Sequence, residues 1–316
     1  MYKIGIDLGG TNIAVGIVDK DYNIIAKGST PTKAEREAEE IVKDMGELCN
    51  SLIKKAGIST DEIEHAGIAA PGTVNKDAGT VEYANNLPFF RFPIIDTLKK
   101  YLNVKTIYID NDANAAAKGE ALAGAAKGCE HAVMITLGTG LGGGVIIDKK
   151  VYSGFNYAGA ELGHMVIVCN GKPCTCGRKG CWEAYSSATG LIAMTKEKLA
   201  VTADTIMHKM VEENGGEVSG RTAFTAAKQG DRAGLEVVEE YMDYLVCGLT
   251  NIINIFQPEI LCIGGGVCNE GDYLLLPLIE RVEKEQYTKN NAVKTQLKVA
   301  ALGNDAGIIG AAVLGI

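Results

Sequence analysis

The chain repeats itself, and the repeat restricts its fold more tightly than any other feature. Val133-Met134-Ile135-Thr136-Leu137-Gly138-Thr139-Gly140 follows the pattern of Ile4-Gly5-Ile6-Asp7-Leu8-Gly9-Gly10-Thr11 at an offset of 129 residues, and Asp19 and Asp148 close the two segments at the same offset. One strand followed by glycines arises by chance. Strand, glycine turn, second strand and closing Asp in step point to a duplicated half, and so to two similar domains facing each other across a cleft. At 316 residues and 47% hydrophobic content, the chain can bury a core in each.

The remaining pattern is mixed. Short Ile- and Val-rich runs over 4–8, 13–18 and 22–26, broken by Gly-Gly-Thr-Asn and Asp-Lys-Asp, predict three consecutive strands. Ile41, Met45, Leu48 and Leu52 share one face of a helix within 34–55, which should lie against that sheet. A strand over 64–70 stops at Pro71-Gly72, and another over 106–110 feeds an Ala-rich helix over 113–126. A long helix over 233–256 ends before Pro258, a strand over 259–263 runs into Gly264-Gly265-Gly266, and an apolar helix starts at Ala306. Alternating strands and helices argue for an α/β architecture.

A net charge of −8, with no block of basic residues to offset it, makes nucleic acid and anionic membrane poor partners. Asp7 stands where a secretory leader would need apolar residues, and no later stretch approaches the roughly 18 apolar residues of a membrane span. The expectation is a cytoplasmic protein. Nine cysteines, three of them crowded at Cys174, Cys176 and Cys181, read as a metal site plus buried thiols, not as a disulfide framework.

Three glycine turns could serve a nucleotide. At Asp7-Leu8-Gly9-Gly10-Thr11-Asn12 the glycines let backbone N–H groups approach phosphate, Thr11 adds a hydroxyl, and Asp7 is placed to hold magnesium through water. A plain hairpin turn is the competing reading. The repeat at Gly138-Thr139-Gly140 favours a grip on a triphosphate from both halves. Gly264-Gly265-Gly266 could carry an adenine ring on bare backbone, or could reflect tight packing alone.

Asn111-Asp112-Ala113-Asn114 lies at the end of a predicted strand, where open α/β sheets bind ligands. A carboxylate at Asp112 can accept the proton of an attacking hydroxyl. One of Asp110, Asn111 and Asp112 could instead cap the following helix, and both roles fit in one turn.

His164 followed by Cys174, Cys176 and Cys181 supplies one imidazole and three thiolates, the set of a closed tetrahedral zinc site. With no open position, that zinc is structural. Glu161 and Glu183 flank the ligands, so the metal would fix two carboxylates in one pocket as acceptors for sugar hydroxyls, and His164 would keep a second N–H to donate. Solvated surface charge is the alternative for both glutamates. His65, His131 and His208 have no partners in sequence and read as structural.

Gly5-Ile6-Asp7-Leu8-Gly9-Gly10-Thr11, Asn111-Asp112-Ala113-Asn114, Glu161-Leu162-Gly163-His164, the Cys174–Glu183 loop, Gly264-Gly265-Gly266 and Asn304-Asp305-Ala306-Gly307 together resemble the repressor/open-reading-frame/kinase (ROK) family of sugar kinases, from Tyr2 to Ile316. The resemblance implies an α/β, actin/hexokinase-like (ribonuclease H-like, duplicated) two-domain fold with an interdomain cleft. A smaller domain would span 1–115, with the C-terminal helix 305–316 packing back on it, and a larger domain carrying the zinc loop would span 116–304.

The implied activity is ATP-dependent phosphorylation of a hexose, glucose first, with Asp112 as base. Gly72, Asn111, Asp112, Glu161, His164 and Glu183 would bind sugar, and Gly9, Gly10, Thr11, Gly138, Thr139, Gly140, Gly264 and Gly265 would serve ATP. Zinc would be held by His164, Cys174, Cys176 and Cys181. Asn86 is expected as a further sugar contact, although Asn85-Asn86-Leu87-Pro88-Phe89-Phe90 lacks the Trp that many relatives carry there. An N-acetylhexosamine or fructose kinase is the alternative within the family. A sugar-responsive repressor would need a DNA-binding module ahead of the first strand, which begins at Tyr2. A homodimer or homotetramer is expected.

Overall fold

The computed structural model describes residues 1–316. Two compact units form, one from 1–134, 144–160 and 300–316, the other from 135–143 and 161–299. The first therefore runs further along the chain than residue 115.

In the first unit, β1 (Tyr2–Leu8), β2 (Asn12–Val18), β3 (Ile24–Pro31), β4 (Ile63–Ala70) and β8 (Ile107–Asn111) make a sheet of order β3-β2-β1-β4-β8. The β1-β2-β3 meander is antiparallel, and β4 and β8 add in parallel. β3 starts two residues later than the sequence suggests and ends five later. Asp19 Oδ1 accepts the N–H groups of Asp21 and Asn23, and Tyr22 turns to φ 67°, so the hairpin turn consumes the expected first residues. The helix Ala38–Ala56 buries Ile41, Met45 and Leu52 as expected, half-buries Leu48, and ends at Gly57 in the left-handed conformation.

On the opposite face of that sheet the helix Ala306–Ala312 lies so close that a Cβ on Gly5 would sit 1.8 Å from the Ile308 carbonyl oxygen, and one on Gly67 the same distance from that of Ala311. Only glycine fits at either place. β5 (Thr73–Asn75), β6 (Thr80–Tyr83) and β7 (Phe90–Phe92) form a small antiparallel sheet that the sequence reading missed, its strands being three or four residues long.

β9 (Ala132–Leu137), β10 (Leu141–Ile147), β11 (Lys150–Val151), β12 (Ile260–Gly264) and β13 (Gln296–Val299) form a second sheet of order β11-β10-β9-β12-β13. Its order reproduces that of the first sheet strand for strand, as a duplicated half requires. β10 covers 141–147, where the 129-residue offset from β2 puts it. In the second unit, the helix Arg232–Phe256 carries the core: Trp182 is fully buried, packs on Gly248 and donates its indole N–H to the Tyr244 carbonyl at 2.9 Å. Such burial contributes about 2–3 kcal/mol and pins the adjacent cysteine loop. No helix is long and apolar enough to cross a membrane.

Candidate active site

In the first unit, the Gly9–Thr11 turn joins β1 to β2 and is closed by Gly9 N–H on the Asn12 carbonyl at 3.0 Å. A Cβ on Gly10 would meet nothing nearer than the Asn86 Cβ at 3.9 Å, which brings the exposed Asn86 beside this turn. Asp7 lies near the end of β1, and a Cβ on Gly307 would strike its carboxylate at 2.4 Å. Burial raises the Asp7 pKa, and the nearby Lys27 ammonium acts in the opposite sense.

The helix Asp112–Ala123 starts as the sequence proposed, with the competing roles divided. Asn111 is the cap, its Oδ1 accepting from Ala113 N–H at 2.9 Å and Asn114 N–H at 3.3 Å, while its Nδ2 donates to the Gly72 carbonyl at 3.0 Å. Capping by Asn111 leaves Asp112 as the first helical residue, exposed, with Oδ1 accepting from Ala113 N–H at 2.8 Å. Asp110 turns inward. It is buried, accepts from Asn114 Nδ2 at 3.0 Å and pairs with Lys76 at 3.4 Å. That pair fixes the strand end from which Asp112 projects.

In the second unit, the turn Gly138–Gly140 is closed by Gly138 N–H on the Gly140 carbonyl at 3.0 Å. Gly265, at φ 95°, packs so tightly on Leu137 that a Cβ would lie 2.4 Å from its carbonyl oxygen, so two glycine turns abut at the end of β9. Tight packing explains Gly265, whereas a Cβ on Gly138 or Gly266 would meet open space.

Ligand atoms of His164, Cys174, Cys176 and Cys181 all lie within 4.8 Å of one another. His164 Nδ1 is 3.6 Å from Cys174 Sγ, and Cys176 Sγ is 3.7 Å from Cys181 Sγ. Metal–ligand bonds of about 2.0–2.3 Å in a tetrahedron put the ligand atoms roughly 3.5–3.8 Å apart, so the donor set fits a tetrahedral thiophilic cation. Burial and the neighbouring thiols push Cys181 up to about 12, while the Arg178 backbone N–H holds Cys176 below its ordinary range. Because Nδ1 faces the thiols, Nε2 of His164 is the atom left to donate elsewhere.

Glu161 begins the short turn Leu162–His164, its carboxyl raised by desolvation and by the like charge of Glu183 and lowered by His164. Glu183 reaches back to the glycine turn, where Leu141 N–H donates to its Oε2 at 2.9 Å. Sequence reading missed that link, along with Thr32, whose hydroxyl donates to the Gly9 carbonyl at 2.7 Å. Neither carries a motif. The other histidines pair away from these motifs: His65 with the Ala312 carbonyl, His131 with Asp148, His208 with the Thr202 carbonyl.

Residues 3–316 match the ROK family, and the chain belongs to it. The glucokinase of Thermotoga maritima is 36% identical over 98% of this chain and 95% of its own length. The xylose repressor of Caldicellulosiruptor bescii is 29% identical over 97% of this chain and 76% of its own length. A ROK family glucokinase from Streptomyces griseus, solved with glucose and AMPPNP, superposes with a TM-score of 0.84 at 33% identity and covers 99% of both chains. The fold is the actin/hexokinase-like one.

Proposed function

We propose that this chain is an ATP-dependent hexokinase that converts glucose to glucose 6-phosphate, with ADP as the second product. Full-length similarity to a glucokinase structure holding glucose and AMPPNP is the observation that carries the reading. Phosphoryl transfer has a loose transition state, so the protein's work is positioning and charge neutralisation. Asp112, exposed at the start of its helix, accepts the proton of the attacking primary hydroxyl. Asn86, Asn111, Glu161, His164 and Glu183 contact the other hydroxyls, with His164 donating through Nε2, and Gly72 lines the sugar. The backbone N–H groups of the glycine turns receive the phosphates.

His164, Cys174, Cys176 and Cys181 would hold a structural zinc, which when bound cross-links the loop and offers no open coordination position. Asp7 would hold the magnesium that accompanies ATP and offsets its phosphate charge. The protein is cytoplasmic and a homodimer or homotetramer.

The test is ADP formation from Mg-ATP against glucose, N-acetylglucosamine, N-acetylmannosamine, fructose, mannose and allose. Glucose should give the highest kcat/KM; a different winner would move the specificity while leaving the chemistry. The 29% identity to a xylose repressor favours a second reading, a sugar-responsive regulator. Sugar binding with no turnover of any of these would leave a sugar-binding protein with a vestigial kinase cleft, and sugar-dependent DNA binding would select the regulator.

A further inference from the structure

Both glycine turns are anchored by a threonine hydroxyl and a backbone N–H, although on different carbonyls of the turn. In the first unit the Thr32 hydroxyl donates to the Gly9 carbonyl at 2.7 Å, and Thr32 N–H donates to the Thr11 carbonyl at 2.8 Å. In the second unit the Thr189 hydroxyl donates to the Thr139 carbonyl at 2.7 Å, and Ala188 N–H donates to the Gly138 carbonyl at 2.8 Å. Each turn thus receives one threonine hydroxyl and one backbone N–H on two carbonyls.

A peptide unit is planar and trans, so a carbonyl fixed in one direction sends the N–H of the next residue in the other. Holding the Gly9 carbonyl on Thr32 therefore aims Gly10 N–H away from Thr32. Glycines on both sides of that peptide would otherwise let it flip at little cost, presenting a carbonyl dipole where an anion must sit. Thr32 is itself rigid. It is fully buried, and its carbonyl accepts from Arg36 Nη2 at 2.9 Å; the same Nη2 pairs with Asp44 at 2.7 Å on the helix Ala38–Ala56.

We infer that Thr32 is a positioning residue for nucleotide binding: it locks the Gly9–Gly10 peptide with its N–H turned toward the phosphates. The inference rests on the reading that the Gly9–Thr11 turn receives phosphate. Thr32→Val keeps the shape and deletes the donor, and should raise KM for ATP about 3- to 10-fold, the range of one hydrogen bond, with KM for glucose within about 2-fold of wild type. Thr32→Ser should restore it. Thr11→Val, measured alongside, tests the turn directly. A raised KM in Thr11→Val with none in Thr32→Val overturns the role of Thr32 alone, and an unchanged KM in both overturns the phosphate reading as well. Failure of Thr32→Ser to rescue, or equal losses for ATP and glucose, would make Thr32 a packing residue and contradict the inference. If Thr32→Val does not fold, Thr32→Cys, a weaker donor, takes its place with the same expected direction.

Discussion

The Glu183 carboxylate joins two motifs: Oε2 accepts the Leu141 N–H at 2.9 Å, while Oε1 lies 3.4 Å from the Thr175 hydroxyl and 3.9 Å from Cys174 Sγ. The cysteine loop and the glycine turn 138–140 are therefore held by one side chain. Distortion of the loop must reach the turn.

Loss of the metal should consequently weaken nucleotide as well as sugar binding. In Cys176→Ala, elemental analysis should show zinc falling from one per chain to near zero, and kcat/KM for ATP and for glucose should each fall by more than about 10-fold. An active variant with no bound metal would remove the metal from the account.

Glu120 is a buried carboxylate that the sequence hid inside an Ala-rich helix. Its oxygens accept from Ala125 N–H at 2.7 Å, Ala301 N–H at 3.1 Å and Leu302 N–H at 2.8 Å. Glu120→Gln sets an amide NH2 against backbone donors, and should cost about 1–3 kcal/mol in a urea titration. A midpoint equal to wild type would show that those donors do not require a carboxylate.

What could be read from sequence had local causes. The 129-residue offset placed both hairpins, the Asn-Asp run placed a cap and an exposed Asp, and the His–Cys spacing picked out four donor side chains that gather within 4.8 Å of one another. Thr32 and Glu120 act across 23 and more than 180 residues of chain, on backbone atoms that any residue type possesses. No spacing rule marks such a partner. The helix Asp272–Glu285 escaped for another reason, since Pro277 inside it reads as a breaker.

Burial lowers the His65 pKa below its ordinary value; the hydrogen bond to the Ala312 carbonyl and the Glu64 charge oppose this, while Lys3 and Lys118 add to it. The unfolded chain then takes up a proton before the folded one does. The stability this histidine contributes is complete above the unfolded value near 6.5 and is lost as pH falls from there through the folded value. The urea midpoint should drop between pH 7.5 and pH 5, and drop less in His65→Gln. Equal drops would show that His65 does not titrate on unfolding.

Whether Asp112 removes the proton of the sugar hydroxyl is tested most directly by kcat and glucose affinity in Asp112→Asn. The amide keeps the shape and loses the base. The expected result is a fall in kcat of at least ~10²-fold, with glucose binding by calorimetry within a few-fold of wild type. Turnover near the wild-type rate would contradict the assignment and send the search for the base elsewhere in the chain.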